Sequence, residues 1–108
     1  MYSIVAEKPG DISVLQKKSI DFSEPKSNEV LIKNRAIGVN FIDIYFRAGL
    51  YPWPVDTDLV LGSEGAGEVE AVGPDVKNLK IGDRVAYAQP NNAYSTHRII
   101  SEDLVVSI

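Results

Sequence analysis

Closely spaced turn signals constrain this chain more than any other feature. Pro9-Gly10, the polar run Ser23-Glu24-Pro25-Lys26-Ser27-Asn28, Pro74-Asp75 and Gly82-Asp83 cut the sequence into short apolar runs. Most of those runs are too short for an average helix, and several alternate apolar with polar residues, as in Val30 and Ile32 against Leu31 and Lys33. The expected strands are 2–6, 15–22, 29–39, 64–72, 84–88, 93–100 and 104–108. Regularly spaced short strands favour a barrel or sandwich over a parallel α/β sheet. At 108 residues the chain is one domain with enough length for a hydrophobic core of its own. No repeat, low-complexity tract or linker composition divides it.

One segment breaks the rhythm. From Asn40 to Gly49 the residues read Asn-Phe-Ile-Asp-Ile-Tyr-Phe-Arg-Ala-Gly. Asn40 suits an N-cap, Asp43 stands three residues on as in a capping box, and Gly49 is placed to end the helix at C′. Asp43 and Arg47 are i,i+4 neighbours, and Phe41, Ile44, Tyr45 and Ala48 share a face. Ile42 and Phe46 form a second apolar face. So short a helix with so little polar surface, at about 40–48, is expected to be largely buried, with both Phe41 and Phe46 inside.

Composition removes several classes of chemistry. The chain has no cysteine, and His97 is its only histidine, which excludes disulfides, thiolate nucleophiles and Cys/His zinc sites. Eleven Lys+Arg against fifteen Asp+Glu leave a net charge of −4, the wrong sign for nucleic acid or an anionic membrane. No run approaches a membrane span, and no basic segment with a following apolar stretch opens the chain. The expected location is the cytoplasm.

Gly62, Gly65 and Gly67 invite a nucleotide-binding reading, but the order is G-x-x-G-x-G and the residues that follow alternate like a strand. The dinucleotide fingerprint needs G-x-G-x-x-G running into a helix. These glycines are expected to let backbones approach closely within the sheet. His97 lies in a strand-like stretch with no nucleophile elbow, and reads as a rim histidine. Glu68 and Glu70 fit a solvated strand face; Glu64, beside Ser63, is expected to hold a structural hydrogen bond. On residues alone the chain is a β domain with one helix and no catalytic constellation.

Three segments together add a resemblance. Gly38-Val39-Asn40-Phe41-Ile42-Asp43-Ile44-Tyr45-Phe46-Arg47-Ala48-Gly49-Leu50-Tyr51 resembles the active-site segment of the zinc-free quinone oxidoreductases, the zeta-crystallin branch of the medium-chain dehydrogenase/reductase superfamily. Leu61-Gly62-Ser63-Glu64-Gly65-Ala66-Gly67-Glu68-Val69 with Val72-Gly73 is similar to that superfamily's G-x-E-x-x-G-x-V-x-x-V-G strand. Leu79-Lys80-Ile81-Gly82-Asp83-Arg84-Val85 matches its G-D-x-V turn. In the zinc-dependent branch a cysteine ligand stands where this chain has Asn40, and a histidine ligand where it has Ser63. The cysteine-rich lobe of that branch is replaced by Gln89-Pro90-Asn91-Asn92-Ala93-Tyr94. An amide and a hydroxyl do not make a tetrahedral zinc site.

The resemblance implies a mainly β, GroES-like, partly open barrel with one short buried helix, filling 1–108, with the Rossmann nucleotide-binding domain absent. The apolar ending at 104–108 reads as the interior of a longer chain, so a larger, homo-oligomeric enzyme is expected to supply the missing domain. The implied reaction is hydride transfer from NADPH to a quinone or small electrophilic carbonyl, without metal. Tyr45 and Tyr51 carry the catalytic expectation as hydrogen-bond donors, and Asn40 the cofactor contact. Asp43 and Glu64 are expected to support them from behind. This chain alone is expected to be inactive. The alternatives are a zinc-free enoyl or alkenal reductase of the same superfamily, and a stand-alone GroES-like binding or co-chaperonin module.

Overall fold

A computed structural model of the chain describes all residues 1–108. The strands are β1 (Tyr2–Ala6), β2 (Leu15–Ser19), β3 (Glu29–Gly38), β4 (Leu59–Val60), β5 (Glu64–Val72), β6 (Arg84–Ala88), β7 (His97–Ser101) and β8 (Val105–Ser107), and the one α-helix, α1, is Phe41–Arg47. Short 3-10 turns at Ile12–Val14 and Glu102–Leu104 lead into β2 and β8. The mainly β expectation holds, and β1, β5 and β6 have the bounds expected from the turn signals.

Two open sheets result. One has the order β2-β1-β4, the other β7-β3-β5-β6-β8, and every pairing is antiparallel. A bridge between Ser3 and Ser95 ties the two together. Inward residues of the larger sheet form the main core: Val30 and Ile32 from β3, Val69 from β5, Val85 and Tyr87 from β6, Ile100 from β7, with Ala93. Complete burial of a Val or Ile side chain is worth about 1.5–3 kcal/mol, so this cluster dominates the fold's stability. A smaller cluster of Ala6, Leu59 and Leu61, flanked by Phe46, Trp53 and Tyr94, anchors the smaller sheet and the helix.

The β3–β5 register slips between Leu31 and Ile32 and again between Asn34 and Ala36. At the second irregularity a Cβ on Gly67 would collide with the Lys33 carbonyl, a backbone atom with nowhere to move. The expected close approach is therefore real at Gly67.

The helix starts and stops where expected. Asn40 is the N-cap, and Asp43 closes the capping box, its Oδ2 accepting the Asn40 N–H at 3.1 Å. At the other end Gly49 takes φ +83, its N–H donates to the Phe46 carbonyl at 3.1 Å, and the Leu50 N–H donates to the Tyr45 carbonyl at 2.9 Å, a Schellman closure. Trp53 Nε1 donates to the same Phe46 carbonyl at 2.6 Å, and Arg47 Nε to the Gly10 carbonyl at 3.1 Å.

The expected burial of the helix is corrected. Asp43 is its only buried residue. Phe41 is 76 % exposed, Ile44 and Tyr45 are exposed, and Phe46 is half-buried against the smaller cluster. The face carrying Phe41, Ile44 and Tyr45 has no element of this chain to cover it. Apolar periodicity says which residues share a face, not which face meets a partner. The i,i+4 spacing of Asp43 and Arg47 forms no ion pair either, because each side chain bonds to a distant loop instead.

Candidate active site

The carboxylate of Asp43 organises this end of the domain. Besides the Asn40 N–H, its Oδ2 accepts the Tyr94 hydroxyl at 2.7 Å, and its Oδ1 is buried without a partner. Tyr94 reaches it because 60–62 and 92–94 run side by side. The Asn92 N–H donates to the Val60 carbonyl at 2.7 Å and the Tyr94 N–H to the Leu61 carbonyl at 2.8 Å. Gly62 makes this possible: it adopts φ +96, and a Cβ there would overlap the Tyr94 ring. Burial first, and then the bond to Asp43, push the Tyr94 hydroxyl well above its ordinary pKa. It therefore stays a donor across the neutral range.

Asn40 and Ile42 at the helix start face Ser63, Glu64, Gln89 and Pro90 across a cleft of about 310 Å³. The Ser63 hydroxyl is buried and unpartnered, while its carbonyl accepts the Gln89 N–H at 2.8 Å. Glu64 is exposed, and its side chain crosses β3 at Gly38, where an added Cβ would run into the carboxylate. The structural hydrogen bond expected of Glu64 is replaced by this lean across a glycine.

Tyr45 and Tyr51 pack edge to face, their ring centroids 6.0 Å apart at 90°, and Phe46 meets Tyr51 at 5.3 Å. The fold thus brings the two tyrosines together, and separately brings Asn40, Ser63 and Glu64 together. The tyrosine pair does not line the Asn40 cleft. Sequence reasoning missed Tyr94, which lies 51 residues from its Asp43 partner. The one local signal for it was Gly62 in front of Ser63. His97 is a half-buried rim residue: its Nε2 lies 3.1 Å from Glu70 Oε2, and its ring meets Phe22. No group of three or more His, Cys, Asp or Glu side chains converges on a metal-sized site, and no helix is long and apolar enough to cross a membrane.

A capped helix that brings an amide to a cleft, facing a hydroxyl at the start of a glycine-bearing antiparallel strand, defines a class. The family model described as the alcohol dehydrogenase GroES-like domain matches residues 26–103, and the chain belongs to that family. Within it, the chain is 51 % identical over 100 residues to a quinone oxidoreductase of Pseudomonas aeruginosa, covering 92 % of this chain and 30 % of that protein. It is 46 % identical over 101 residues to quinone oxidoreductase 1 of Escherichia coli strain K12, covering 92 % and 31 %. The crystal structure of Escherichia coli quinone oxidoreductase complexed with NADPH superimposes with a TM-score of 0.95 at 43 % identity, covering 100 % of this chain and 33 % of that one. The resemblance read from the three segments is borne out. The chain spans about a third of the length of the curated relatives it matches.

Proposed function

We propose that this chain, over 1–108, is the substrate-side domain of an NADPH-dependent quinone oxidoreductase that works without zinc. The observation that carries the reading is the cleft in which Asn40 and Ser63 stand together, an amide and a hydroxyl where the family resemblance implies cysteine and histidine in zinc-dependent members. Bound NADPH supplies the hydride. The buried, partnerless Ser63 hydroxyl and Asn40 fit the nicotinamide end, whose carboxamide offers both donors and acceptors. Nothing in the chain fits the pyrophosphate. The N-terminus of α1 already holds the Asp43 carboxylate, and Gly65 and Gly67 lie inside β5. On this proposal that grip belongs to a nucleotide-binding domain outside residues 1–108.

Tyr45 and Tyr51 are the donors toward the oxygen of a quinone or small electrophilic carbonyl, where negative charge grows as the ring is reduced. Tyr45 is exposed on the uncovered face of α1 and Tyr51 in the segment that follows it, which leaves both open to a substrate arriving between two domains. Asp43, held by Tyr94, fixes the start of the helix and with it the angle at which Asn40 is presented. Glu64 supports the cleft from the opposite strand.

The test is an NADPH titration and a quinone-reduction assay on this chain, repeated after adding the nucleotide-binding domain of a relative in trans. The expected result is no tight NADPH binding and no turnover by the chain alone, with quinone reduction on complementation. Tyr45→Phe or Tyr51→Phe should then lower kcat by about tenfold or more. Micromolar NADPH binding by the chain alone would overturn the assignment of the phosphate grip. Enone reduction without quinone reduction would favour the alkenal reductase reading, and seven-fold assembly the co-chaperonin one. Metal analysis of the dialysed protein should find zinc at trace level only.

A further inference from the structure

Away from the cleft, Arg98 is a buried cation without a counter-charge. It sits on β7 at 6 % exposure, with Cζ 4.5 Å from the centroid of the Tyr87 ring, which covers one face of the guanidinium. The ion pairs of the chain are Lys18–Asp58, Arg35–Glu68 and His97–Glu70, so no carboxylate answers Arg98. Its Nε and Nη1 are buried with no hydrogen-bond partner. Burial lowers its pKa from the ordinary guanidinium value, yet that value starts so high that the group remains charged near neutrality. A buried charge left unpaired is among the costliest arrangements a fold can hold.

Arg98 also lines a cavity of about 290 Å³ between β7 and the smaller sheet. Ser3, Ser95, Asn92 and His97, the last already paired with Glu70, give this cavity polar groups, Ile20, Phe22, Val60 and Ile99 give it apolar walls, and no acidic side chain lines it. At roughly 30 Å³ per water, the space exceeds what one bridging water needs. None of these residues belongs to the Asn40 cleft.

We propose that this cavity binds a small monocarboxylate with an apolar or aromatic tail, its carboxylate on the Arg98 guanidinium. A planar carboxylate matches the guanidinium fork, and one negative charge neutralises the one cation. A phosphate or sulfate dianion would leave an excess charge in the same low-dielectric space. The tail takes the side of Ile20, Phe22 and Val60, while the Ser3 and Ser95 hydroxyls, 2.8 Å apart, border the polar end. Waters alone would satisfy the N–H groups but leave the charge uncompensated. The site is independent of the proposed reductase activity.

The experiment titrates benzoate into the isotope-labelled chain, following amide resonances, with benzamide as the neutral control of the same shape. The expected result is saturable benzoate binding that moves the resonances of Ser3, Ser95 and Arg98 and leaves Asn40 unmoved, with benzamide at least about tenfold weaker. Arg98→Gln should weaken benzoate by a similar factor. If that variant does not fold, the benzoate–benzamide comparison on the unaltered protein decides. Equal responses to the two probes, no saturation, or shifts confined to other residues would overturn the proposal.

Discussion

Replacing Tyr94 with phenylalanine isolates the bond that holds the start of α1. The ring keeps its place against Gly62 and the smaller cluster, and only the hydroxyl is lost. Asp43 is 4 % exposed, and its Oδ1 already lacks a partner, so removing the 2.7 Å bond leaves the buried carboxylate with the Asn40 N–H alone. A hydrogen bond to a charged group contributes about 1.5–3 kcal/mol net, which makes about 2 kcal/mol the expected loss. For a domain of this size each kcal/mol lowers Tm by roughly 4–8 °C, so the melt should fall by roughly 8–16 °C. Urea and thermal unfolding followed by circular dichroism read both quantities. The pH dependence gives a second check. The folded-state pKa of Tyr94 is raised above its unfolded value near 10, so its contribution is complete below that pH and drains away as pH rises further. The gap between the parent protein and Tyr94→Phe should therefore narrow on the alkaline side of about pH 10. A variant within about 0.5 kcal/mol of the parent would refute the reasoning, as would a gap that stays constant into strong alkali.

Gly67→Ala should cost about 2–3 kcal/mol in urea unfolding, because the added carbon meets the Lys33 carbonyl at a register slip of β3 and β5. Glu102→Ala should lose about 2 kcal/mol, since the buried carboxylate accepts the Lys77 and Asn78 N–H groups at 3.0 Å each and both donors would be orphaned. Sedimentation should reveal self-association at high micromolar concentration, because Val39 and Phe41 stand 79 % and 76 % exposed at one end of the domain. A monomer with no affinity for an apolar dye would count against that face being an interface.

Much of the fold was legible because local chemistry and tertiary demand agree in the strands. Pro74-Asp75 and Gly82-Asp83 end and begin runs whose alternation matches their burial, and β5 and β6 appear with the expected bounds. Where the two part company the reading slips. The stretch at 93–100 looks continuous in sequence, yet the strand begins only at His97, because Ala93 and Tyr94 bond to the 60–62 segment instead. β4 was invisible: it is two residues long and follows Asp58 at φ +56, so neither alternation nor a turn dipeptide announces it. Leu15–Ser19 stops short of Phe22, which turns away to meet His97.

The helix shows why a site is harder to read than a fold. Its caps are local, and Asn40, Asp43 and Gly49 behave as their residue types dictate. Its orientation is not local. Nothing in Phe41-Ile42-Asp43-Ile44 says that the one charged residue turns inward while the phenylalanine turns out, and hydropathy argues the reverse. That inversion is stable only because a tyrosine hydroxyl from the Gln89–Tyr94 segment meets the carboxylate, with a glycine at positive φ making room for its ring. The same inversion has a chemical consequence. With Asp43 spent inward, the outer face of α1 carries Tyr45, paired with Tyr51 from the segment after the helix and with no fixed charge between them, and the cleft at the helix start presents an amide and a hydroxyl. Neutral donors of that kind favour an oxygen that becomes negative during reaction over one that is negative at the outset, which is the preference the proposed quinone reduction requires.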